Sequence, residues 1–211
     1  MIDVENLRVR RGGREVLSLQ GWRLATGEAA LLTGPSGAGK STLLNAIAGL
    51  LSPTQGRVCV DGADLASMNE ATRDRFRAEH IGIVFQSARF IRAMTVEENL
   101  ALALRLARKP DDLEHILSTL ARLGVADMGK RRPHTLSVGE AQRVAIARAV
   151  IAQPKLILAD EPTSALDDAN AGGAMDILFT EARACGATLL VASHDARLHS
   201  RFQTRLDLAA S

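Results

Sequence analysis

The stretch Gly34-Pro-Ser-Gly-Ala-Gly-Lys-Ser-Thr42 constrains the fold of this chain more than any other feature, because it combines three glycines with a lysine and two neighbouring hydroxyls. It follows the apolar run 29–32, which is typical of a buried strand, and precedes the apolar run 43–51, which is typical of a helix. A strand, a glycine-rich turn and a helix in this order form a phosphate-binding loop, or P-loop, in which backbone N–H groups surround an anion. The sequence therefore predicts an α/β protein with a nucleotide site.

The residues of this loop have separate predicted roles. Lys40 is expected to reach the β- and γ-phosphates, Ser41 to ligate Mg²⁺, and Thr42 to contact phosphate from the first helical turn. The alternative is a glycine-rich turn without a ligand, and the flanking strand and helix argue against it. The predicted nucleotide-binding residues of the loop are Gly34, Pro35, Ser36, Gly37, Ala38, Gly39, Lys40, Ser41 and Thr42.

The length and composition exclude several classes of protein. A chain of 211 residues fits one domain, and a net charge of +2 is too small to indicate a nucleic-acid partner. No apolar run is long enough to span a bilayer, and the acidic N-terminus begins a strand rather than a signal peptide. Cys59 and Cys185 have no metal-binding spacing, so we expect buried free thiols in a reducing compartment. The protein is therefore expected in the cytosol, with any membrane role supplied by a partner.

The order of apolar segments predicts how the chain is organised. An N-terminal hairpin with its turn at 11–14 comes first, followed by the P-loop strand and a buried strand at 81–85. Residues 87–153 then show helical periodicity, and buried strands return at 156–159 and 188–192. This pattern predicts a single domain over 1–211, with a nucleotide-binding core (1–86 and 154–211) and an inserted helical subdomain (87–153).

Polar residues follow several of the buried strands at the point where each strand ends. Gln86 follows one strand, Asp160 and Glu161 end another, and His194 follows a third. Ligands of open α/β sheets bind outside the carboxyl ends of the strands, so these residues are expected to join the P-loop in one site. Asp160 is predicted to hold Mg²⁺ through water, and Glu161 to polarise the attacking water as a general base or to orient it. His194 would hydrogen-bond the γ-phosphate or order the water.

The segment Pro133-His-Thr-Leu-Ser-Val-Gly-Glu-Ala-Gln-Arg143 resembles the signature segment of ABC-type ATPases. With the P-loop, Gln86, Asp160-Glu161, Ser164-Ala-Leu-Asp167 and His194, the resemblance covers nearly the whole chain, in the order of that family. It implies a P-loop NTPase (RecA-like) core with a mainly parallel sheet, an N-terminal antiparallel β-subdomain and an inserted α-helical subdomain. It also implies that the chain binds ATP and Mg²⁺ and hydrolyses ATP.

The resemblance further implies that two copies act together, head to tail, with two ATP molecules between them. Ser137 and Gly139 open a helix, whose N-terminus would contact the γ-phosphate held by the P-loop of the second copy. Asp167 would contact the opposing P-loop. Gln86 would link Mg²⁺ and the attacking water to the helical subdomain, so that the nucleotide state moves a partner.

The sequence departs from the family pattern at two places. Val138 stands where the family usually has glycine and Glu140 where it has glutamine, so we expect weaker or slower closure rather than its loss. At the position of the aromatic residue that stacks on adenine this chain has Arg11, or a residue near it. Arginine can stack on a ring through its guanidinium plane, but base selectivity is then in question. Trp22 is assigned to the core instead.

Three other segments, at 77–86, 94–100 and 158–163, resemble one branch of the family. That branch includes lipoprotein-releasing, macrolide-efflux and cell-division ATPases, which move an extracytoplasmic domain through a membrane partner (mechanotransmission). The resemblance implies a peripheral position on the cytoplasmic face of the inner membrane, with a partner helix bound near 87–104. Phe90, Ile91 and Met94 are either exposed anchors of that groove or core residues. An ordinary ABC importer or exporter, or a soluble ABC ATPase of DNA repair or translation, is the alternative.

Overall fold

The computed structural model describes residues 1–166 and 168–209, and the side chains of these except 168–170. The predicted nucleotide contact Asp167 lies outside the described residues. Two sheets and six α-helices make up the regular structure of the described part.

The N-terminal sheet is antiparallel, as predicted. Strands β1 (Ile2–Arg11) and β2 (Arg14–Leu24) form the predicted hairpin, whose turn residues Gly12 and Gly13 have positive φ values of 55° and 80°. Such values cost glycine little, which explains the tight two-residue turn. β4 (Gln55–Val60) pairs with β1 and β5 (Ala63–Asp64) pairs with β4, so the order is β2-β1-β4-β5.

The second sheet is parallel throughout and forms the centre of the fold. Its order is β6-β7-β8-β3-β9, and each pair of neighbours is parallel. The carboxyl ends of all five strands therefore meet at one edge, where the predicted site residues follow them. The strands are β3 (Ala29–Thr33), β6 (Ile81–Val84), β7 (Leu156–Asp160), β8 (Thr188–Ala192) and β9 (Thr204–Asp207).

Three of the six helices lie between β6 and β7, in agreement with a helical insertion. One of them begins with a capping box, in which Thr95 N–H donates to Glu98 Oε2 at 2.7 Å and Glu98 N–H donates to Thr95 Oγ1 at 3.2 Å. The helices are α1 (Lys40–Ile47), α2 (Glu70–His80), α3 (Val96–Leu106), α4 (Leu113–Arg122), α5 (Val138–Val150) and α6 (Asp168–Ala184).

The parallel sheet separates two apolar layers. Successive residues of its strands alternate between them, so that Leu31 and Leu189 pack with the helical insertion while Leu32 and Leu190 pack with α1 and the antiparallel sheet. Each fully buried leucine contributes about 1.5–3 kcal/mol of transfer free energy. Apolar packing on both faces therefore supports the parallel sheet, whose carboxyl edge positions the predicted site residues.

Two expectations for single residues differ in outcome. Trp22 is half-buried and packs against the second apolar layer, as predicted. The cysteines are free, but Cys59 and Cys185 are half-buried rather than buried. Burial still raises the pKa of both thiols, which keeps them protonated and unreactive.

The carboxylate of Glu181 on α6 is almost fully buried and depends on one arginine of α4. Arg122 donates to its two oxygens, each at 2.9 Å. We expect Arg122→Met to lower the free energy of unfolding by about 2 kcal/mol, because the buried carboxylate loses its partner. Urea unfolding measures this, with Arg105→Met as the control, since the exposed Arg105–Asp111 pair should contribute less than about 0.5 kcal/mol. Equal losses from both variants would contradict the role of the buried pair.

Candidate nucleotide-binding site

The P-loop is glycine-rich because two of its backbone positions exclude side chains. Gly34 has φ 141°, and a Cβ there would lie 2.5 Å from Leu208 O. Gly39 has φ 93°, and a Cβ there would lie 2.8 Å from Val16 O. Gly39 also caps α1, so the helix begins at Lys40, three residues before the predicted start, and ends at Ile47 rather than at 51. The loop therefore runs directly into a helix N-terminus.

Lys40 lies inside this loop with its side chain buried. Its ammonium donates to the carbonyl oxygens of Gly34 at 2.8 Å and Pro35 at 3.2 Å. The N–H of Leu43 makes the hydrogen bond to Gly39 O, so the N–H groups of residues 40–42 have no partner within the helix. A positive side chain and free N–H groups at a helix N-terminus are a favourable site for phosphate.

The P-loop forms one wall of a cleft of about 610 Å³, and the predicted catalytic residues line the other side. This volume is within the usual range for small-molecule sites. Ser137 and Gly139 do not line this cleft. The lining residues are Arg11, Val16, Ser36, Gly37, Gly39, Lys40, Ser41, Thr42, Gln86, Glu161 and His194.

Asp160 lies behind Ser41 at the end of β7. Burial raises the pKa of its carboxyl, and hydrogen bonding from Ser41 and the charge of Lys40 oppose that shift. Its Oδ1 is buried without a hydrogen-bond partner among the described residues. An orphaned carboxylate oxygen beside a hydroxyl fits Mg²⁺, which prefers oxygen ligands and keeps several waters. The described part of the chain has no cluster of three or more His, Cys, Asp or Glu side chains that could hold a metal ion.

Glu161 adopts an unusual backbone conformation next to Asp160. Its φ is 46°, in the left-handed region, and its N–H donates to Ala192 O at 2.8 Å. A residue other than glycine in this region costs about 1–3 kcal/mol and is common at functional sites. The turn aims the Glu161 side chain at the end of β8 rather than along β7.

Both oxygens of the Glu161 carboxylate are hydrogen-bonded by the residues that follow β8. The Ser193 hydroxyl donates to Oε2 at 3.1 Å, and the backbone N–H of His194 lies 3.4 Å from the same oxygen. The His194 ring contacts Oε1 through Nδ1 at 2.7 Å. Since the carboxylate accepts, Nδ1 carries the proton, and Nε2 is left for another partner. This contact joins two predicted catalytic residues directly.

The signature residues form a second, separate feature at the N-terminus of α5. Ser137 N–H donates to Glu140 Oε2 at 2.7 Å, and Glu140 N–H donates to Ser137 Oγ at 3.3 Å, which is a capping box. The backbone hydrogen bond from Ser137 lowers the pKa of Glu140, so that carboxyl is ionised. Val138 is 57% exposed, which is unusual for valine. The end of α5 thus presents an apolar side chain and a hydroxyl to solvent.

A groove of about 540 Å³ lies between α2, β6, α3 and α5, close to Gln86. The exposed apolar residues of this groove include Ile91 and Leu106. On its wall, Arg89 stacks on Phe85, with 4.8 Å between the guanidinium carbon and the centre of the ring. Of the three possible anchors, Ile91 is exposed and lines the groove. Phe90 instead is half-buried against the core under Arg148, and Met94 is half-buried.

Two polar residues of this region are not indicated by any motif. A serine beside a histidine, as at Ser193, has no pattern that indicates a carboxylate partner 32 residues away. Asn99 is buried, and its amide hydrogen-bonds the backbone of Ile91, Met94 and Thr95. A buried asparagine in an apolar helix is the signal that could have found it.

Known proteins have sequences similar to that of this chain. A profile of the family described as "ABC transporter" matches residues 19–164. The chain is 41% identical to the cell division ATP-binding protein FtsE of Escherichia coli, with 92% of this chain and 88% of FtsE aligned. It is 39% identical to the lipoprotein-releasing system ATP-binding protein LolD of Nitrobacter hamburgensis, over 94% of this chain and 87% of LolD. The predicted resemblance and its branch are confirmed.

A solved structure agrees with the fold as well. The dimeric ATP-binding cassette MJ0796, bound to ADP and Pi after hydrolysis, superimposes with a TM-score of 0.90 and 32% sequence identity. The match covers 99% of this chain and 94% of that chain. The predicted fold class is therefore confirmed. The roles of the individual site residues stay predictions.

Proposed function

The chain belongs to the ABC transporter family of ATP hydrolases, and from that premise we propose that it is the ATP-driven subunit of a bacterial membrane complex. In this proposal two copies associate head to tail when ATP binds and separate after hydrolysis. The observation that supports it most is the cleft where the P-loop faces Glu161 and His194. The cassette MJ0796 is a dimer with ADP and Pi.

The phosphates of ATP would bind at the P-loop, where Lys40 and the free N–H groups of α1 supply positive charge. Ser41 and Gln86 would hold Mg²⁺, with Asp160 acting through water, and the ion would supply positive charge to balance that of the phosphates. Glu161 would take a proton from the water that attacks the γ-phosphorus, and the bond to the β-phosphate oxygen breaks to leave ADP. His194, with Nδ1 on Glu161, would contact the γ-phosphate through Nε2.

The base of the nucleotide would lie at the other end of the cleft, beside Arg11 and Val16. No aromatic ring is among the described residues that line the cleft. The side chain of Arg11 is exposed and makes no hydrogen bond or ion pair within the described part of the chain, so its planar guanidinium is free to stack on a base. We assign Arg11 to base binding on this ground.

The N-terminus of α5 from the second copy would complete each nucleotide site. Ser137 and Gly139 are outside their own cleft, and the helix N-terminus there has no phosphate from its own chain to bind. Asp167 would contact the opposing P-loop. Val138 would then be covered in the dimer, which explains its exposure in a single copy.

The membrane partner would bind the groove beside Gln86 with a short helix. The groove is lined by apolar side chains and by arginines, of which Arg75 and Arg89 have no ion pair among the described residues. An amphipathic helix with an acidic residue fits this surface in shape and charge. None of the helices in the described part of the chain has the length and apolar composition that spanning a bilayer requires.

The names of the relatives favour mechanotransmission over transport through the bilayer. FtsE is named for cell division and LolD for lipoprotein release, and we propose a similar task on the cytoplasmic face of the inner membrane. An ordinary ABC importer or exporter remains the second candidate, because it would use the same groove.

A matched pair of variants tests the membrane partner. Leu106 is 60% exposed and lines the groove, whereas Leu117 is 42% exposed on α4 and does not line it. We expect Leu106→Asp to lower association with salt-washed cell membranes about tenfold, since it removes an apolar anchor and repels an acidic partner. ATP hydrolysis by the purified chain should stay unchanged.

Leu117→Asp is the control and should bind membranes like the native chain. If both variants bind membranes equally well, the groove does not hold the partner. If Leu106→Asp also loses hydrolysis in isolation, the change has damaged the fold, and Ile91→Asp, at another exposed apolar position of the groove, replaces it.

A further inference from the structure

We propose that Ser193 is a positioning residue for Glu161, and that it fixes Oε2 so that Oε1 is the oxygen that accepts the proton from water. The inference rests on the proposed function, in which Glu161 is the general base. It assigns a role to a serine that belongs to none of the sequence motifs described above.

The hydroxyl of Ser193 can donate one hydrogen bond, and the groups around it determine which atom accepts that bond. The side chain is 1% exposed, so water does not compete for it. Its Oγ accepts from the N–H of Asp195 at 3.1 Å, and it donates to Glu161 Oε2 at 3.1 Å. Because a hydroxyl donates only once, the contact with Glu161 uses the whole donor capacity of this side chain.

The other carboxylate oxygen is held in a different way. Oε1 contacts the ring of His194, whose side chain is 67% exposed. An exposed imidazole can exchange its partner for water or phosphate, whereas the buried hydroxyl has no alternative partner. One oxygen of Glu161 therefore has a permanent donor and the other an exchangeable one. Because the donor to Oε1 can leave, Oε1 is the oxygen that can accept a hydrogen bond, and then the proton, from an attacking water.

The backbone around Glu161 reinforces this orientation. The N–H of Glu161 donates to Ala192 O at 2.8 Å, and the Ser193 N–H donates to Leu32 O at 3.1 Å. On the far side, Ser164 donates to the Glu161 carbonyl oxygen through its N–H at 3.2 Å and its hydroxyl at 3.0 Å. The main chain of Glu161 is thus tied to the end of β8, and the contact with Ser193 fixes the remaining rotation of the carboxylate.

The test compares two buried hydroxyls at opposite ends of β8, those of Ser193 and Thr188. Ser193→Ala is expected to lower kcat about 10- to 100-fold, because the variant loses a hydrogen bond that orients the charged general base. The Kd for ATP should be unchanged, because Ser193 does not contact the nucleotide in this proposal. Ser193→Thr keeps the hydroxyl and should restore kcat to within about threefold. Thr188→Val is the control: Thr188 is fully buried at the opposite end of β8 and bonds Gly27 and Ala25 instead.

A double variant separates positioning from a general structural effect. In the Glu161→Gln background, Ser193→Ala should cause no further loss of kcat, because the base it positions is already gone. A further loss of tenfold there would overturn the inference, as would a native kcat for Ser193→Ala or a loss of kcat equal to that of Thr188→Val. If Glu161→Gln itself hydrolyses ATP at the native rate, the proposed function fails instead.

Discussion

Replacing Glu161 with glutamine is expected to lower the rate of ATP hydrolysis by about 100- to 10,000-fold, while the affinity for ATP is kept. An amide has nearly the shape of the carboxylate and still accepts hydrogen bonds from Ser193 and His194 through its oxygen, but it cannot take a proton from water. Phosphate release measures the hydrolysis, and calorimetric titration measures ATP binding. We also expect a long-lived dimer when ATP is present, because the step that separates the copies is blocked.

The control for this variant is Glu79→Gln, which removes a carboxylate on α2, away from the cleft. It should hydrolyse ATP like the native chain. A monomeric Glu161→Gln protein with native activity would contradict the assignment of Glu161 as general base.

Replacing Ser137 with arginine is expected to lower hydrolysis about 100-fold or more, although ATP still binds to the separate chain. Ser137 is exposed at the end of α5 and outside the cleft, so its own nucleotide should not respond to the change. In the proposed dimer the larger side chain replaces the hydroxyl that faces the second copy's γ-phosphate and prevents closure. Light scattering with ATP should then show monomers only.

His134→Arg is the matched control, because His134 is exposed three residues earlier and lies outside the capping box. It introduces the same side chain near the same helix and should leave hydrolysis within about twofold of native. Hydrolysis that survives Ser137→Arg would mean that the signature does not contact nucleotide.

The sequence predicted most of what depends on local pattern. Alternation and run length located the strands, and the positions of Gln86, Glu161 and His194 directly after buried runs placed them at the ends of parallel strands. The errors at α1 also have a local cause: apolar spacing locates the buried face of a helix, whereas Gly39 decides where that helix begins.

Contacts between distant residues could not be predicted in this way. The Glu161–Ser193 and Arg122–Glu181 pairs join positions 32 and 59 residues apart, and neither has a motif. These two pairs depend on tertiary packing, which fixes partners that propensity and spacing leave open. Glu140 departs from the family pattern, but in the structure it caps α5 together with Ser137; that contact is local, and the spacing S-x-x-E is itself the signature of a capping box.

The most direct test of the account is to mix the Glu161→Gln and Ser137→Arg variants before ATP is added and to measure phosphate release. In a mixed dimer, the Ser137→Arg chain supplies an intact P-loop and Glu161, and the Glu161→Gln chain supplies an intact Ser137, so one complete site forms. If the chains paired at random, half of the dimers would be mixed with one complete site each, so about a quarter of the native rate is the upper limit. We expect a rate below that limit, because Ser137→Arg weakens closure at the second site, but far above the sum of the two variants alone. A rate equal to that sum would mean that the site is not shared between two copies.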